Sequence, residues 1–305
     1  MQGGTKMYDL LIIGSGPAGL SAAIYGKRAQ LSLAVIEKEY LGTGQIAVTD
    51  RVDNYPGLFG VSGYELGEKF RSHAESLGAE FIDGEVSSIE RDGENWRVDL
   101  ADGSSQTARA VIYAAGASHR GLGVPGSDKE RISYCAVCDG FFYKDKIAAV
   151  IGGGDTALGD ALYLSKLART VYLVHRRDEF RANKTLQKQV SESANIVPVL
   201  GAALTEVTGG EKADGINYIQ NGEEKHLDVD GIFAAIGSVP GTSPLKGVCE
   251  LDGSGYVVAG EDCVTSAPGI FAAGDVRTTP LRQVITAAAD GANAVNSAEK
   301  YLAGH

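Results

Sequence analysis

The sequence has few cysteines and no long hydrophobic run, and each absence removes a class of protein. It has only four cysteines, Cys135, Cys138, Cys249 and Cys263, and two of them stand alone, which is unlike a secreted disulfide scaffold. No stretch approaches the ~20 apolar residues of a membrane-spanning helix. The apolar run at residues 10–13 is too short for the core of a secretory signal. We therefore predict a cytoplasmic protein with no membrane partner.

The chain also lacks an excess of basic residues. Its formal net charge is −11 at pH 7, and it has no basic tail. Phosphates of nucleic acids and anionic lipids repel such a chain at long range, so neither is an expected partner. With 305 residues, of which 44% are hydrophobic and 22% charged, the chain is typical of a globular protein of two domains.

Two of the four cysteines form a C-x-x-C pair, Cys135 and Cys138, followed directly by Asp139. This spacing lets one thiolate attack a disulfide while the second thiol resolves the mixed disulfide. Half of a zinc site and a buried inert pair are the alternatives. Structural zinc needs four ligands, and neither Cys249 nor Cys263 has a spaced cysteine or histidine partner. We predict a redox-active dithiol, no metal site, and two buried free thiols.

A glycine-rich turn follows the first hydrophobic strand, which we predict over residues 8–13. The turn reads GSGPAG and leads into a helix of small residues, which is the G-x-G-x-x-G pattern of dinucleotide-binding proteins in its required context. Its predicted cofactor-binding residues are Gly14, Gly16, Pro17 and Ala18. The next strand, predicted over residues 31–36, ends in Glu37, whose carboxylate suits a ribose diol and would repel a 2′-phosphate.

The same pattern returns after a predicted strand at residues 146–151. The turn GGGDTA precedes a helix predicted over residues 158–167, and the interval from Gly152 to His175 equals that from Gly14 to Glu37. Guanidinium groups replace the carboxylate here, and they suit a 2′-phosphate. We expect this copy to bind NADPH. The predicted NADPH-binding residues are Gly154, Asp155, Thr156, His175, Arg176, Arg177 and Arg181.

The order of the motifs predicts how the domains are arranged. Strand-like runs at residues 110–116 and 231–237 would close the two units, and they enclose both the dithiol and the second glycine turn. We predict an α/β fold with two three-layer (ββα-type) Rossmann-like dinucleotide-binding domains, the second inserted into the first. The first domain comprises residues 1–117 and 243–305, and the second comprises residues 118–242. The cluster at residues 238–241 indicates one connection between them.

One dinucleotide without a 2′-phosphate, one NADPH and one dithiol form an electron path if the first dinucleotide is FAD. NADPH delivers hydride, and a flavin can accept hydride and pass electrons to sulfur. The expected order is therefore NADPH, FAD, the dithiol and an external disulfide.

The motifs together resemble those of the bacterial-type, low-molecular-weight NADPH-dependent thioredoxin reductases. The resemblance covers nearly the whole chain from about Tyr8. It rests on GSGPAG, GQ followed by DNYPG, CAVCDGFFYK, GGGDTA, HRRDEFRA and FAAGDVRTTPLRQVITAAADG.

The resemblance implies roles that the residues alone do not. Cys138 would face the flavin, Cys135 would attack the disulfide of thioredoxin, and Asp139 would act as general acid and base. It also implies a homodimer, and a domain that rotates between the two half-reactions about connections near residues 116–120 and 238–242. The additional FAD-binding residues that it implies are Gln45, Asn54, Gly274, Asp275, Arg282, Gln283 and Val284.

The chain departs from the family at Gly159 and Asp160, where paired glutamates are usual, and this could alter contacts near the nicotinamide. Three other functions remain open. The chain could reduce another small disulfide protein. It could be a relative independent of pyridine nucleotides, either linked to ferredoxin or acting as a dithiol oxidase. It could also be a redox-regulated binding module without turnover.

Overall fold

The computed structural model describes residues 6–38, 43–49 and 51–304. The chain forms two compact units. One comprises the chain up to Ser118 together with the chain from Val239 onward, and the other is the continuous segment His119–Ser238.

The described strands are β1 (Met7–Ile13), β2 (Leu33–Glu37), β3 (Glu80–Asp83), β4 (Val86–Asp92), β5 (Asn95–Leu100), β6 (Ser105–Tyr113), β7 (Ala117–His119), β8 (Ile132–Ser133), β9 (Ile147–Ile151), β10 (Thr170–Val174), β11 (Ile196–Val199), β12 (Ala202–Gly209), β13 (Ala213–Gln220), β14 (Glu223–Asp228), β15 (Gly231–Ala234), β16 (Ser238–Pro240) and β17 (Ile270–Ala272). The described helices are α1 (Pro17–Arg28), α2 (Gly63–Ser76), α3 (Ala136–Asp139), α4 (Asp155–Leu164), α5 (Lys184–Glu192) and α6 (Val284–Gly304). Short 3₁₀ turns include Gly44–Val48, Gly140–Tyr143 and Gly274–Val276.

The first unit is built on a mixed sheet in the order β3-β2-β1-β6-β5-β4, with β17 also pairing with β6. Strand β1 is parallel to both β2 and β6. Its side chains alternate between two layers, because successive residues of a strand point to opposite faces. Leu10 and Ile12 pack against α1 and α6, whereas Leu11 and Ile13 belong to a core that includes residues of β4 and β5.

The second unit repeats this layering. A parallel sheet in the order β11-β10-β9-β15-β8 is accompanied by an antiparallel sheet in the order β12-β13-β14. Ala148 and Val150 of β9 pack with α4, whereas Ala149 and Ile151 pack with residues of the antiparallel sheet. The predicted fold class, two three-layer Rossmann-like folds with the second inserted into the first, is confirmed.

Helix α4 starts earlier than the sequence pattern indicates. The prediction was residues 158–167, but the helix begins at Asp155 and ends at Leu164. Gly154 has an extended backbone and is the N-cap, so the helix starts directly after the glycine turn. This brings the helix N-terminus to the place where an anion would bind.

Candidate functional site

In the first unit, the turn between β1 and α1 has the tight geometry that its glycines predict. Gly14 has φ +96°, and a Cβ at this position would lie 2.5 Å from the carbonyl oxygen of Ala114. A Cβ at Gly19 would lie 1.9 Å from the carbonyl oxygen of Gly14. Gly16 caps α1 without a side-chain hydrogen bond, and Pro17 occupies the first turn. The first N–H groups of this helix therefore have no side-chain cap, an arrangement that suits a phosphate.

Glu37, the last residue of β2, is fixed beside this turn. Its carboxylate accepts hydrogen bonds from the backbone N–H and the hydroxyl of Ser15, at 2.7 and 2.8 Å. Ser15 is completely buried. Sequence reasoning identified Glu37 and missed Ser15, although a hydroxyl residue between two glycines opposite a strand-end carboxylate was a usable signal.

A second segment, Thr43 and Gly44, approaches the glycine turn from the other side. Gly44 has φ +70°, and a Cβ there would lie 2.9 Å from the Cα atom of Gly16. The Thr43 hydroxyl is buried and has no hydrogen-bond partner among the described residues. A bound pyrophosphate would supply the acceptor that such a hydroxyl lacks. The Thr43 side chain itself packs on α2, where a Cβ at Gly67 would lie 2.8 Å from the Thr43 hydroxyl oxygen. Sequence analysis did not identify Thr43.

The three side-chain amides that the family resemblance implies for the flavin site all lie in the first unit. The Gln45 side chain donates to the carbonyl oxygen of Ala117. The Asn54 side-chain nitrogen donates to Oε1 of Gln283 at 2.9 Å, although the two residues are far apart in sequence. Val284 follows directly as the first residue of α6. The fold thus brings Asn54 together with the start of α6.

Asp275 lies in the 3₁₀ turn Gly274–Val276 of the same unit. Burial raises the pKa of its carboxyl to about 6, whereas the charge of Arg282 acts in the opposite direction. The Arg282 guanidinium stacks 4.2 Å from the ring centroid of Tyr256. A Cβ at Gly274 would lie 2.9 Å from Cβ of Ala18. The turn that carries Asp275 therefore contacts the start of α1.

In the second unit, the turn between β9 and α4 is equally constrained. A Cβ at Gly152 would lie 2.3 Å from the carbonyl oxygen of Ala235. A Cβ at Gly154 would meet no atom within 4 Å, and no side chain caps the helix there. Thr156 is exposed on the first turn of α4. This helix N-terminus also suits an anion.

The basic residues after β10 divide into one buried and three exposed side chains. A Cβ at Gly153 would lie 2.4 Å from the His175 ring, so the imidazole packs beneath the glycine turn. Its Nε2 atom is buried without a partner among the described residues. Burial, followed by the charges of Arg181, Arg177 and Arg176, lowers the pKa of His175. The three arginines are exposed, and none forms a salt bridge with a described carboxylate.

The segment that carries these arginines is tied to the glycine turn. The Gly153 carbonyl accepts hydrogen bonds from the backbone N–H groups of Arg181 and Ala182, at 2.8 and 3.2 Å. The Asp155 carboxylate accepts from the backbone N–H of Asn183 at 2.7 Å. Asp155 therefore holds the arginine segment in place, a role that the motif alone does not reveal.

The two cysteines of the C-x-x-C pair form a disulfide, with Cα atoms 5.3 Å apart. Cys135 is the N-cap of the short helix α3. The Asp139 carboxylate accepts a hydrogen bond of 2.6 Å from the Ser133 hydroxyl, which also lies 3.1 Å from the backbone nitrogen of Cys135. Ser133 is a buried residue of β8 that sequence analysis missed. It connects the acid to the backbone of the dithiol.

The two other cysteines are free thiols. Cys263 is buried and Cys249 is partly buried. Burial raises the pKa of Cys249 to about 11 and that of Cys263 to about 12, so neither is a thiolate at neutral pH. The prediction of two buried free thiols is confirmed for Cys263, whereas Cys249 is free but only partly buried. Within residues 6–38, 43–49 and 51–304, no cluster of three histidine, cysteine, aspartate or glutamate side chains could hold a metal ion.

Comparison with known proteins identifies relatives over nearly the whole chain. The family model described as pyridine nucleotide-disulphide oxidoreductase matches residues 8–291. A thioredoxin reductase of Listeria monocytogenes is 40% identical over 303 residues, covering 97% of this chain and 94% of that protein. The crystal structure of thioredoxin reductase from Streptococcus pyogenes MGAS5005 matches with a TM-score of 0.92 at 39% identity, covering 99% of this chain and 100% of that one. The Lactococcus lactis thioredoxin reductase in its FR conformation matches with a TM-score of 0.68 at 35% identity, covering 98% and 100%.

Proposed function

Since the chain belongs to the pyridine nucleotide-disulphide oxidoreductase family and, within it, to the thioredoxin reductases, we propose that it catalyses the NADPH-dependent reduction of thioredoxin. Electrons pass from NADPH through FAD and the Cys135–Cys138 pair to the thioredoxin disulfide. The observation that carries this proposal is the disulfide itself, which lies in the same unit as a glycine turn followed by arginines without carboxylate partners. An exchangeable disulfide has no use in a protein that only binds nucleotides.

We assign FAD to the first unit. Gly14, Gly16, Pro17 and Ala18 would receive the pyrophosphate, and Glu37 would accept hydrogen bonds from the adenosine ribose. The buried Thr43 hydroxyl and the close approach of Gly44 support this assignment. When bound, FAD supplies the capacity to take a hydride and release electrons to sulfur. Residues nearer the reactive ring would be Gln45, Asn54, Gly274, Asp275, Arg282, Gln283 and Val284.

We assign NADPH to the second unit. Gly154, Asp155 and Thr156 form the pyrophosphate side of the site, with Asp155 acting through its bond to Asn183. The exposed guanidinium groups of Arg176, Arg177 and Arg181 would bind the 2′-phosphate by charge-assisted hydrogen bonds. The His175 ring packs against the turn at Gly153, and its buried Nε2 has no partner among the described residues, which supports a further contact there.

The dithiol transfers its electrons by thiol–disulfide exchange. In the reduced enzyme, the Cys135 thiolate attacks one sulfur of the thioredoxin disulfide and displaces the other as a thiolate. Cys138 then attacks the Cys135 sulfur, which re-forms the enzyme disulfide and releases the second thiol of thioredoxin. Asp139, held by Ser133, would exchange the protons. Each cycle moves two electrons and consumes one NADPH and one proton.

The second unit would also have to move. It carries both the NADPH site and the dithiol, and both must reach one flavin. We propose that it rotates about the connections near residues 116–120 and 238–242. One of the relatives, the Lactococcus lactis thioredoxin reductase, has a structure described as its FR conformation, and a named conformation supports more than one arrangement among the relatives.

We further propose that the enzyme acts in the cytoplasm as a homodimer. No helix of the described chain is both long enough and apolar enough to cross a membrane. The homodimer follows from the family alone and can be measured by light scattering of the purified protein.

The test is anaerobic mixing of the FAD-loaded protein with NADPH while flavin absorbance is recorded, followed by oxidised thioredoxin. We expect rapid loss of the absorbance and then its recovery. Cys138→Ser should keep the loss and abolish the recovery, whereas the control Cys249→Ser should keep both.

Each alternative function predicts a different change in flavin absorbance. Recovery with another small disulfide protein but not with thioredoxin would change the substrate. A flavin that stays oxidised with NADPH, yet is reduced by ferredoxin or a dithiol, would place the protein among the relatives that do not use pyridine nucleotides. A protein that binds nucleotides with no absorbance change under any of these reductants would be a binding module.

A further inference from the structure

A charged pair is buried inside the first unit, at two positions of the motif FAAGDVRTTPLRQVITAAADG to which the sequence assigns no role. Arg277 and Asp290 are 8% and 9% exposed. Their salt bridge is bidentate: Nε of Arg277 lies 2.7 Å from Oδ2 of Asp290, and Nη2 lies 2.6 Å from Oδ1. Such forked pairs fix the relative orientation of both groups. A hydrophobic pair of the same volume would often give equal or greater stability, so stability alone does not explain the charges.

Both members of the pair also bond to backbone groups. Asp290 Oδ2 accepts a hydrogen bond of 2.9 Å from the backbone N–H of Gly274. Arg277 Nη1 donates to the carbonyl oxygens of Thr278 and Ala259, at 2.8 and 3.3 Å. The pair therefore fixes the backbone on both sides of the 3₁₀ turn Gly274–Val276, which contains Asp275.

The other end of this connection is the helix that follows the first glycine turn. A Cβ at Gly291 would lie 2.2 Å from the carbonyl oxygen of Ala18, so α6 contacts α1 directly at this point. The Ser21 hydroxyl donates to the carbonyl oxygen of Ala288 at 2.6 Å. The segment of α6 around Asp290 is thus fixed against α1. The hydrogen bond from Gly274 to Asp290 then fixes the position of Gly274 relative to α1.

We propose that Arg277 and Asp290 are positioning residues for FAD. They bind no part of the cofactor themselves, and they hold the turn of Asp275 at a fixed distance from the glycine turn at Gly14–Gly19. The cofactor must reach both turns at once, so an error in their separation weakens its binding. This inference rests on the proposed function of the first unit as the FAD site.

The test uses purified full-length protein, stripped of FAD and titrated with FAD while flavin fluorescence is followed. Asp290→Asn removes the charge of the acceptor, and Arg277→Lys keeps a charge but loses the fork. We expect each to weaken FAD binding by roughly tenfold to a hundredfold, the range typical of losing a partner that orients a binding group. The absorption bands of the bound flavin should also shift, a change that a loss of stability alone would not produce.

A double variant and a control complete the test. Arg277→Gln is made alone and in combination with Asp290→Asn, which allows neutral partners to bond again. The FAD affinity of this double variant should exceed the additive expectation from Arg277→Gln and Asp290→Asn. Asp9→Asn is the control, because Asp9 pairs with Arg109 at 3.2 Å in the same unit but bonds to neither turn. It should leave FAD affinity and spectrum unchanged.

Folded Asp290→Asn protein with the wild-type FAD affinity and spectrum would overturn the proposal. If Asp290→Asn does not fold, Arg277→Lys and Arg277→Gln decide by the same criteria. A wild-type protein that binds no FAD at all would instead contradict the proposed function.

Discussion

The two glycine turns have the same backbone design and differ in the charges around them. In each, a glycine lies where a Cβ would strike a carbonyl oxygen, Gly14 at Ala114 and Gly152 at Ala235. In each, a glycine without a side-chain cap precedes the helix. The next strand of the first unit ends in Glu37, which accepts hydrogen bonds from Ser15, whereas that of the second is followed by exposed arginines.

In each unit, one set of groups holds a dinucleotide and a different set selects which dinucleotide binds. The turn and the helix N-terminus favour any pyrophosphate, because backbone N–H groups do not distinguish between nucleotides. The groups at the strand end meet the ribose, and there a carboxylate and a guanidinium favour opposite ligands. We therefore expect the two sites to respond independently to changes at their strand ends.

The largest expected effect comes from removing the arginines. In Arg176→Ala combined with Arg177→Ala, two charge-assisted contacts to the 2′-phosphate are lost. At about 1.5–3 kcal/mol each, KM for NADPH should rise by roughly 10²- to 10⁴-fold. KM for NADH should stay unchanged, because NADH has no 2′-phosphate. Initial rates of flavin reduction with each coenzyme measure both values.

The matched change in the first unit is Glu37→Gln. It should weaken FAD binding by roughly tenfold through loss of a charged acceptor, without changing KM for NADPH.

If the arginine variant lost affinity equally for NADPH and NADH, the arginines would be acting on something other than the 2′-phosphate.

The glycine turns could be predicted because their pattern is local. Strand, glycine spacing and helix lie within about twenty residues, and the need for close backbone approach allows little other than glycine. The contacts that complete the sites could not be predicted in this way. Asn54 meets Gln283, and Asp290 meets Gly274, only because separate elements pack together. His175 belongs to a basic motif by sequence, yet it is buried against Gly153 by the fold.

The two units also differ on the helix that follows each turn. The offset that aligns Gly14 with Gly152 aligns the buried Ala22 with Asp160. Asp160 has no hydrogen bond to the described residues, and burial raises the pKa of its carboxyl to about 6. A carboxylate therefore occupies a position in α4 where α1 has a methyl group.

Asp160→Asn should stabilise the second unit at neutral pH. The pKa of Asp160 is higher in the folded chain than its ordinary 3.8, so the folded state binds the proton more tightly. The contribution of Asp160 to stability should therefore fall as pH rises from about 4 to about 6, and its penalty is complete above that range. We expect the variant to gain on the order of 1–3 kcal/mol at pH 7.5 and little at pH 4.

Hydrogen exchange of α4 amides at both pH values measures this gain, because it reports on the second unit separately. Asp275 titrates in the same range in the other unit, so the comparison uses the difference between variant and wild type. A gain of equal size at pH 4 would show that the charge of Asp160 is not the cause.

The smallest expected effect concerns Gly159, which the same offset aligns with Ser21 of α1. Ser21 bonds to Ala288, whereas a Cβ at Gly159 would meet no atom within 4 Å. Glycine inside a helix costs about 1 kcal/mol relative to alanine, so Gly159→Ala should stabilise α4 by up to that amount.

Gly291→Ala in α6 is the matched change with the opposite sign, because its Cβ would lie 2.2 Å from the Ala18 carbonyl oxygen. Hydrogen exchange of the two helices should therefore slow in the first variant and accelerate in the second. Destabilisation by Gly159→Ala would mean that this face of α4 is covered in solution, as the corresponding face of α1 is covered by α6.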